Sequence, residues 1–473
     1  MDSDSSSKSP DTMTNFTLLA PTTASVLSPR LGSLALTGRK SIPTPNYIPL
    51  TSRGVVSHIS HDLLRDQTAI GSLYFGLEDF IERQQRKGTV PIYNIPTSSH
   101  ESALRKFTCF PEELVLVLGP RRVPAIACPP DNTPNSIAIA TSVGFRQLDS
   151  NQFVEGVQKL RPDIVVGMAD IVLGRQPGLK RQGKMVDRTH AYTMHATDQL
   201  YGSLVPEQNR STASYFAPLL PLENTQQSLY LEELEGELRP HVSGLALYES
   251  ASLAIVPESL GNLPRMLLNE PATPHDILRE VSLGADVVTI PFIGDASDGG
   301  IALDFVFSPS ETSIAEPTPL ALDLWSSEYT TDTSPLREQC ECYTCRNHHR
   351  AYIHHLLSAK EMLAWTLLQV HNYHTMDVFF SKIRESIQRG AFESDAQAFH
   401  RLYAAELPDR TGQGPRLRGH HVSASGPHQP RRNPRAWGRL DDLQFSESPS
   451  AVATPDTGAD GLEERGFAEK EHS

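Results

Sequence analysis

The chain has 473 residues, 38% of them apolar, and its 42 basic against 56 acidic side chains leave a formal charge of −14. That balance argues against a protein that grips nucleic acid by bulk electrostatics, which needs clustered Lys and Arg, although it is compatible with a local basic patch. No apolar run approaches the roughly 18 residues of a membrane span. The opening Met1–Lys8 lacks a secretory pattern and is too acidic for a mitochondrial presequence, and five cysteines are too few for a disulfide scaffold.

Residues 1–12 are rich in Ser and Asp and read as a disordered N-terminus. From 13 to 405 the chain alternates strand-like and helix-like segments. The strand candidates are Leu114–Leu118, Ser136–Ala140, Asp163–Met168, Tyr215–Leu220, Val242–Leu247, Arg265–Leu268 and Ala285–Ile290. Each is short and apolar on both faces, the mark of a parallel sheet buried on both sides. Between them, Phe153, Val157 and Leu160 mark one helix. Thr273-Pro274-His275-Asp276 opens another, with Thr273 as cap, Pro274 in the first turn and an acid near the positive helix end. Several strands recur at about 21–28 residues, the spacing of βα units. A doubly wound sheet and a (β/α)8 barrel both fit, and seven or more units in one region favour the α/β TIM-type barrel. Residues 406–473 change in composition. Seven Arg fall within 410–439 and nine acids within 441–473, which predicts a disordered tail, first basic and then acidic.

Three of the five cysteines fall within six positions, in Cys340-Glu341-Cys342-Tyr343-Thr344-Cys345. Thiolates and neutral imidazole suit Zn2+, and a Cys3His set closes a tetrahedron with no open position, the pattern of a structural site. His371 is the expected fourth ligand. A single straight helix over 346–371 would carry it roughly 39 Å away at ~1.5 Å per residue. Ser358-Ala359-Lys360-Glu361, however, reads as a capping box with Ser358 as N-cap, splitting the segment into two helices of similar length. Packed antiparallel, they return His371 to Cys345. His348, His349, His354 and His355 are alternative fourth ligands, and Cys109 and Cys128 read as buried apolar residues. The metal-bearing unit is placed at about 335–375.

The C-x-C-x2-C-x25-H spacing, with Tyr343-Thr344 inside the cluster and Arg350-Ala351-Tyr352 after it, resembles the zinc motif of tRNA-guanine transglycosylases. The likeness extends through Pro264–Leu268, Thr273–Leu278 and Gly284-Ala285-Asp286, and near the start through Arg30-Leu31-Gly32 and Thr44–Leu50, covering about 15–395. It implies a (β/α)8 barrel with a zinc subdomain inserted late, and one structural Zn2+ on Cys340, Cys342, Cys345 and His371.

Those enzymes exchange a guanine in tRNA through an aspartate nucleophile and a second aspartate that moves protons. In this chain Thr289 stands at the nucleophile's position and Thr141 at the second acid's. Pro221-Leu222-Glu223 replaces the base-binding Q-G-G run. Pro291–Asp298, with Asp295 and Asp298, replaces a basic RNA-facing segment. Asp170 is retained where the enzymes contact the incoming base. The resemblance therefore implies no catalytic residue in this chain. It points to a non-catalytic paralogue that pairs with a catalytic barrel as a heterodimer, inserts queuine at the wobble position and meets tRNA through the complex. Its expected place is the cytoplasm, free or peripheral to the mitochondrial outer membrane. The alternatives are an active transglycosylase using displaced carboxylates such as Asp286, Asp295 or Asp298, and a barrel used only as a protein-binding scaffold.

Overall fold

Eight short runs pair side by side in parallel: β1 (Asn46–Ile48), β2 (Ser72–Gly76), β3 (Val115–Gly119), β4 (Ile164–Val166), β5 (Ser214–Leu219), β6 (Val242–Leu247), β7 (Arg265–Leu267) and β8 (Val287–Thr289). The order across the sheet is β1-β8-β7-β6-β5-β4-β3-β2. A parallel bridge between Leu50 and Tyr74, with Tyr74 N donating to Pro49 O at 2.9 Å, brings β2 back against the chain leaving β1 and closes the barrel. The computed structural model describes residues 14–20, 27–81, 90–98, 101–128, 131–141, 144–307, 317–412 and 414–415. The N-terminal stretch 1–12 and most of the tail expected from composition lie outside them.

The strands read as apolar on both faces for a geometric reason. Side chains alternate across a strand. Val115 and Val117 of β3 join Ile48, Ile164, Val166, Phe216 and Met266 in the barrel interior, whereas Leu116 and Leu118 pack outward among the helices. The end where the strands begin is plugged by an antiparallel sheet of Thr14–Ala20, Leu31–Leu36 and Ile42–Thr44, whose Leu34, Leu36 and Ile42 join the interior cluster. Helix Pro274–Ser282 starts as its sequence predicts. Thr273 is the N-cap, Pro274 occupies the first turn, and Asp276 Oδ2 accepts from Thr273 N at 3.2 Å.

Two expectations need correction. The candidate strand Ser136–Ala140 is buried and extended but is not a barrel strand. It runs Ser136–Thr141 and pairs antiparallel with Gly144–Asp149 in a hairpin. Buried Glu78 holds this hairpin on the barrel, accepting from Ala140 N and Arg122 N, both at 2.9 Å. An apolar run bounded by turns carries no information about its partner, so the parallel reading had no local support. Cys109 and Cys128 are not core residues either. Cys109 is exposed at a left-handed position (φ 57°) ending helix Ala103–Thr108, and Cys128 is half-buried.

The starts of β7 and β8 rest on a buried charge cluster. Arg30 and Asp286 are 1% and 0% exposed. Arg30 Nε donates to Asp286 Oδ1 at 2.9 Å, its Nη2 pairs with Oδ2, and Nη1 and Nη2 donate to the carbonyls of Gly261 (2.6 Å) and Leu263 (2.8 Å). Asp286 Oδ2 also accepts from Arg265 N at 2.7 Å, at the start of β7. Burial and the charge of Arg30 push the Arg265 guanidinium down to about 10, against the pull of Asp286. Replacing Asp286 by Ala leaves Arg30 buried without its counter-charge, and we predict a loss of about 3–5 kcal/mol in chemical unfolding. A loss under about 1 kcal/mol would mean that water or another acid replaces the carboxylate.

Candidate functional site

The metal-ligating side chains come from two pieces of chain that tertiary packing brings together. Cys340 and Cys342 precede the short helix Tyr343–Asn347, which carries Cys345, and His371 lies in the long helix Met362–Gln388. Their ligand atoms all lie within 4.8 Å of one another, a group that could hold a metal ion. His371 Nδ1 is 3.8, 3.5 and 3.3 Å from the sulfurs of Cys340, Cys342 and Cys345. On the other side of the ring, His371 Nε2 donates to Leu303 O at 2.8 Å. That bond places the proton on Nε2 and turns the Nδ1 lone pair toward the thiols, the outer-shell arrangement that orients a ligating histidine. Burial disfavours the charged ring, but hydrogen bonding to Cys340 and Cys345 and their charge outweigh it and raise the pKa to about 9. Hydrogen bonds from Cys342 and Cys345 hold the Cys340 thiol far below its ordinary range. So dense a set of thiols around one imidazole is a donor set that could hold a metal ion.

The chain does split before His371, but by a different device. Helix Arg350–Ser358 ends where Ala359 N and Lys360 N bond back to His355 O and Leu357 O, with Lys360 left-handed at φ 57°. The long helix then starts with Glu361 as its N-cap. Ser358 is no cap, since its Oγ donates to His354 O at 2.9 Å. Nor are the two helices of similar length, at 9 and 27 residues. The alternative histidines are engaged elsewhere. His348 stacks on Tyr352, His349 Nδ1 accepts from Tyr352 N at 3.2 Å, and His354 Nδ1 donates to Leu324 O at 2.9 Å. Neither they nor His355 belong to the ligand group.

The ends of the barrel strands open into a cleft of about 520 Å3, lined by Tyr74, Arg121, Tyr248, Asn269 and Glu270 among others. Thr289 ends β8 and is fully buried, its hydroxyl donating to Asn269 O at 2.8 Å. Thr141 is also fully buried, and its hydroxyl donates to Gly144 O at 2.7 Å inside the hairpin. Pro221 lines the cleft, while Gln227 Nε2 holds the carbonyls of Leu220 (3.2 Å) and Leu222 (2.7 Å). The displaced carboxylates are committed too. Asp286 lies in the Arg30 cluster before β8 begins, Asp298 pairs with His58, and Asp295 is a half-exposed residue of helix Phe292–Asp298, 3.6 Å from Arg410.

Asp170 is a polar residue just beyond the end of β4 that the structure occupies with its own donors. It is fully buried and saturated by donors: Asn132 Nδ2 at 2.6 Å, Arg181 at 2.5 and 2.8 Å, and Arg188 at 3.1 Å. Burial pushes its pKa up, but the hydrogen bonds from Arg181 and Asn132 prevail and hold it below the usual carboxylate value. Arg181 and Arg188 lie seven residues apart in helix Leu179–Tyr201, two turns along one face, and that spacing was the signal available for them.

Among known proteins, a family model described as queuine tRNA-ribosyltransferase matches residues 26–405. A Schizosaccharomyces pombe protein named queuine tRNA-ribosyltransferase accessory subunit 2 is 32% identical over 403 residues, 84% of this chain and 87% of that protein. Proteins with the same name from Drosophila pseudoobscura pseudoobscura and Xenopus laevis are 32% and 25% identical, over 62% and 78% of this chain and 71% and 95% of their own. With its closed eight-stranded barrel, its Cys3His cluster and a family match spanning most of its length, the chain belongs to the queuine tRNA-ribosyltransferase (tRNA-guanine transglycosylase) family.

Proposed function

We propose that this chain is the non-catalytic accessory subunit of a heterodimeric queuine tRNA-ribosyltransferase. Its role is to support a catalytic partner that exchanges guanine for queuine at the tRNA wobble position. The observation that carries this reading is the chemistry of the barrel mouth. The two positions where the family's enzymes carry aspartates hold Thr289 and Thr141, whose hydroxyls donate to backbone carbonyls. A threonine offers no carboxylate, and its hydroxyl attacks only when a general base activates it. The names of the relatives support a subunit role. The charge of residues 1–405, 33 basic against 45 acidic, suits a protein that meets tRNA through a partner. Among the described residues no helix is long and apolar enough to cross a membrane, which accords with a cytoplasmic site of action.

The ion we assign to the Cys3His cluster is one Zn2+. Zinc–sulfur and zinc–nitrogen bonds of about 2.3 and 2.05 Å in a tetrahedron require S···N edges of about 3.6 Å. The edges to His371 Nδ1 are 3.3 to 3.8 Å. Four protein ligands leave no position for water, so the ion supplies cross-linking. It would fasten Cys340–Cys345 to the long helix and, through the His371–Leu303 bond, to strand Ile301–Leu303.

Two tests follow. His371→Ala should lower zinc content below one per chain by metal analysis and lower Tm by roughly 5 °C or more; full zinc in His371→Ala with loss in His348→Ala would reassign the ligand. Incorporation of labelled guanine or queuine into unmodified tRNA should be absent for this chain alone and present when a catalytic subunit is added. Turnover by this chain alone, abolished in Asp295→Asn, would overturn the accessory role, as would failure of the two chains to co-purify.

A further inference from the structure

The described chain does not stop at 405, where composition changes. Beyond helix Phe392–Leu402, Ala404 N and Thr318 O bond at 2.9 Å and Leu407 packs on the main core. The next residues cross the seam between helix Phe292–Asp298 and the ribbon of Ile301–Leu303 and Ala321–Asp323. Four contacts define the crossing. The Arg410 stem lies on Gly299, where a Cβ would come within 3.1 Å of its Cγ and Cδ, and its guanidinium is 3.6 Å from Asp295. The Thr411 hydroxyl donates to Asp323 Oδ2, while Asp323 Oδ1 accepts from Trp325 N at 3.1 Å. Gly412 lies so close to Trp325 that a Cβ would stand 2.1–2.2 Å from ring atoms, a distance no side chain tolerates. Gly414 approaches Asp298 O, 3.0 Å from where its Cβ would be.

Trp325 is shaped for this occupant. Gly300, left-handed at φ 76°, makes room for the pyrrole edge of the indole, since a Cβ there would stand 2.4 Å from Nε1. The indole packs on the apolar core of the metal-bearing unit, with Leu336, Leu357 and Trp365 among its members. Two glycines thus admit one indole, one from the barrel side and one from the crossing segment, and the flanking Thr411 and Arg410 each meet an acid. Only a residue without a Cβ fits at 412, so the groove selects by shape as well as by charge.

We propose that Trp325, Asp323 and Asp295 form a docking groove for the chain's own Arg410, Thr411 and Gly412, with Gly414 beside it. This segment straps the unit that carries the Cys3His cluster to helix Phe292–Asp298. The inference is independent of the proposed RNA chemistry.

Limited trypsin digestion of the full chain, followed by mass spectrometry, tests it at the Arg410–Thr411 bond. A synthetic peptide of residues 405–415 gives the rate for the same bond undocked. In the folded chain this cleavage should be at least about tenfold slower than in the peptide, because proteolysis requires local opening. Gly412→Leu should bring the rate to that of the peptide and expose Trp325 to acrylamide quenching, and Thr411→Ala should give an intermediate rate. Cleavage of the unaltered chain as fast as the peptide would overturn the proposal. So would a Gly412→Leu chain as resistant as the unaltered one.

Discussion

The carboxylate of Asp286 ties together the barrel strands that begin beside it. It accepts from Arg30 and from the first residue of β7, while its own carbonyl accepts from Asn46 N at 2.8 Å, where β1 begins. One residue thus links β7, β8, β1 and the segment that enters the plugging sheet. An ion pair this deeply buried is weak evidence of net stabilisation, since desolvation offsets much of the Coulomb gain. Its consequence is geometric: β8 cannot slip in register without burying a charge alone, so Thr289 is held at the strand end with its hydroxyl on Asn269 O.

That fixed register gives the barrel mouth its character. Oriented carboxylates would make the strand ends reactive, and here the groups that could react are satisfied by neighbours. Thr289 and Thr141 donate to carbonyls, and Asp170 is held by two arginines and an asparagine. Two acids nearby are shifted by burial. Burial, and then the charge of Asp295, raises the pKa of Glu270. Burial pushes Glu280 up to about 7, against hydrogen bonds from Asn269 and Ser250.

The unit carrying the Cys3His cluster shows the opposite economy, with the candidate ligands held in place by neighbouring hydrogen bonds. His371 is oriented by Leu303 O, and Thr344, between the cysteines, donates to Leu367 O at 2.7 Å on the long helix. Asn372, beside His371, accepts from Leu303 N at 2.9 Å and donates to Ser297 Oγ at 2.9 Å. These bonds couple the cluster to the last barrel helix, so loss of the ion would be felt at the barrel wall.

Local pattern alone determined much of this protein. The C-x-C-x2-C spacing and the need for a fourth ligand singled out the metal cluster, and repeated two-faced apolar runs indicated a parallel barrel, because both signals are carried by neighbours in sequence. The cap at Thr273 was legible for the same reason. Tertiary structure decided what depends on residues far apart. Ser136–Thr141 pairs with the next segment, Gly144–Asp149, and distant Glu78 and Arg122 fix where that hairpin sits on the barrel. The helix break before His371 was set by a left-handed Lys360 and by packing, not by Ser358. The donors that occupy Asp170, Arg181 and Arg188, come from the following helix and were set by its packing. Arg30 meets Asp286 across 256 positions and Gly412 meets Trp325 across the seam, and no local period encodes such pairs, because closing long loops is favourable only once the whole barrel has formed.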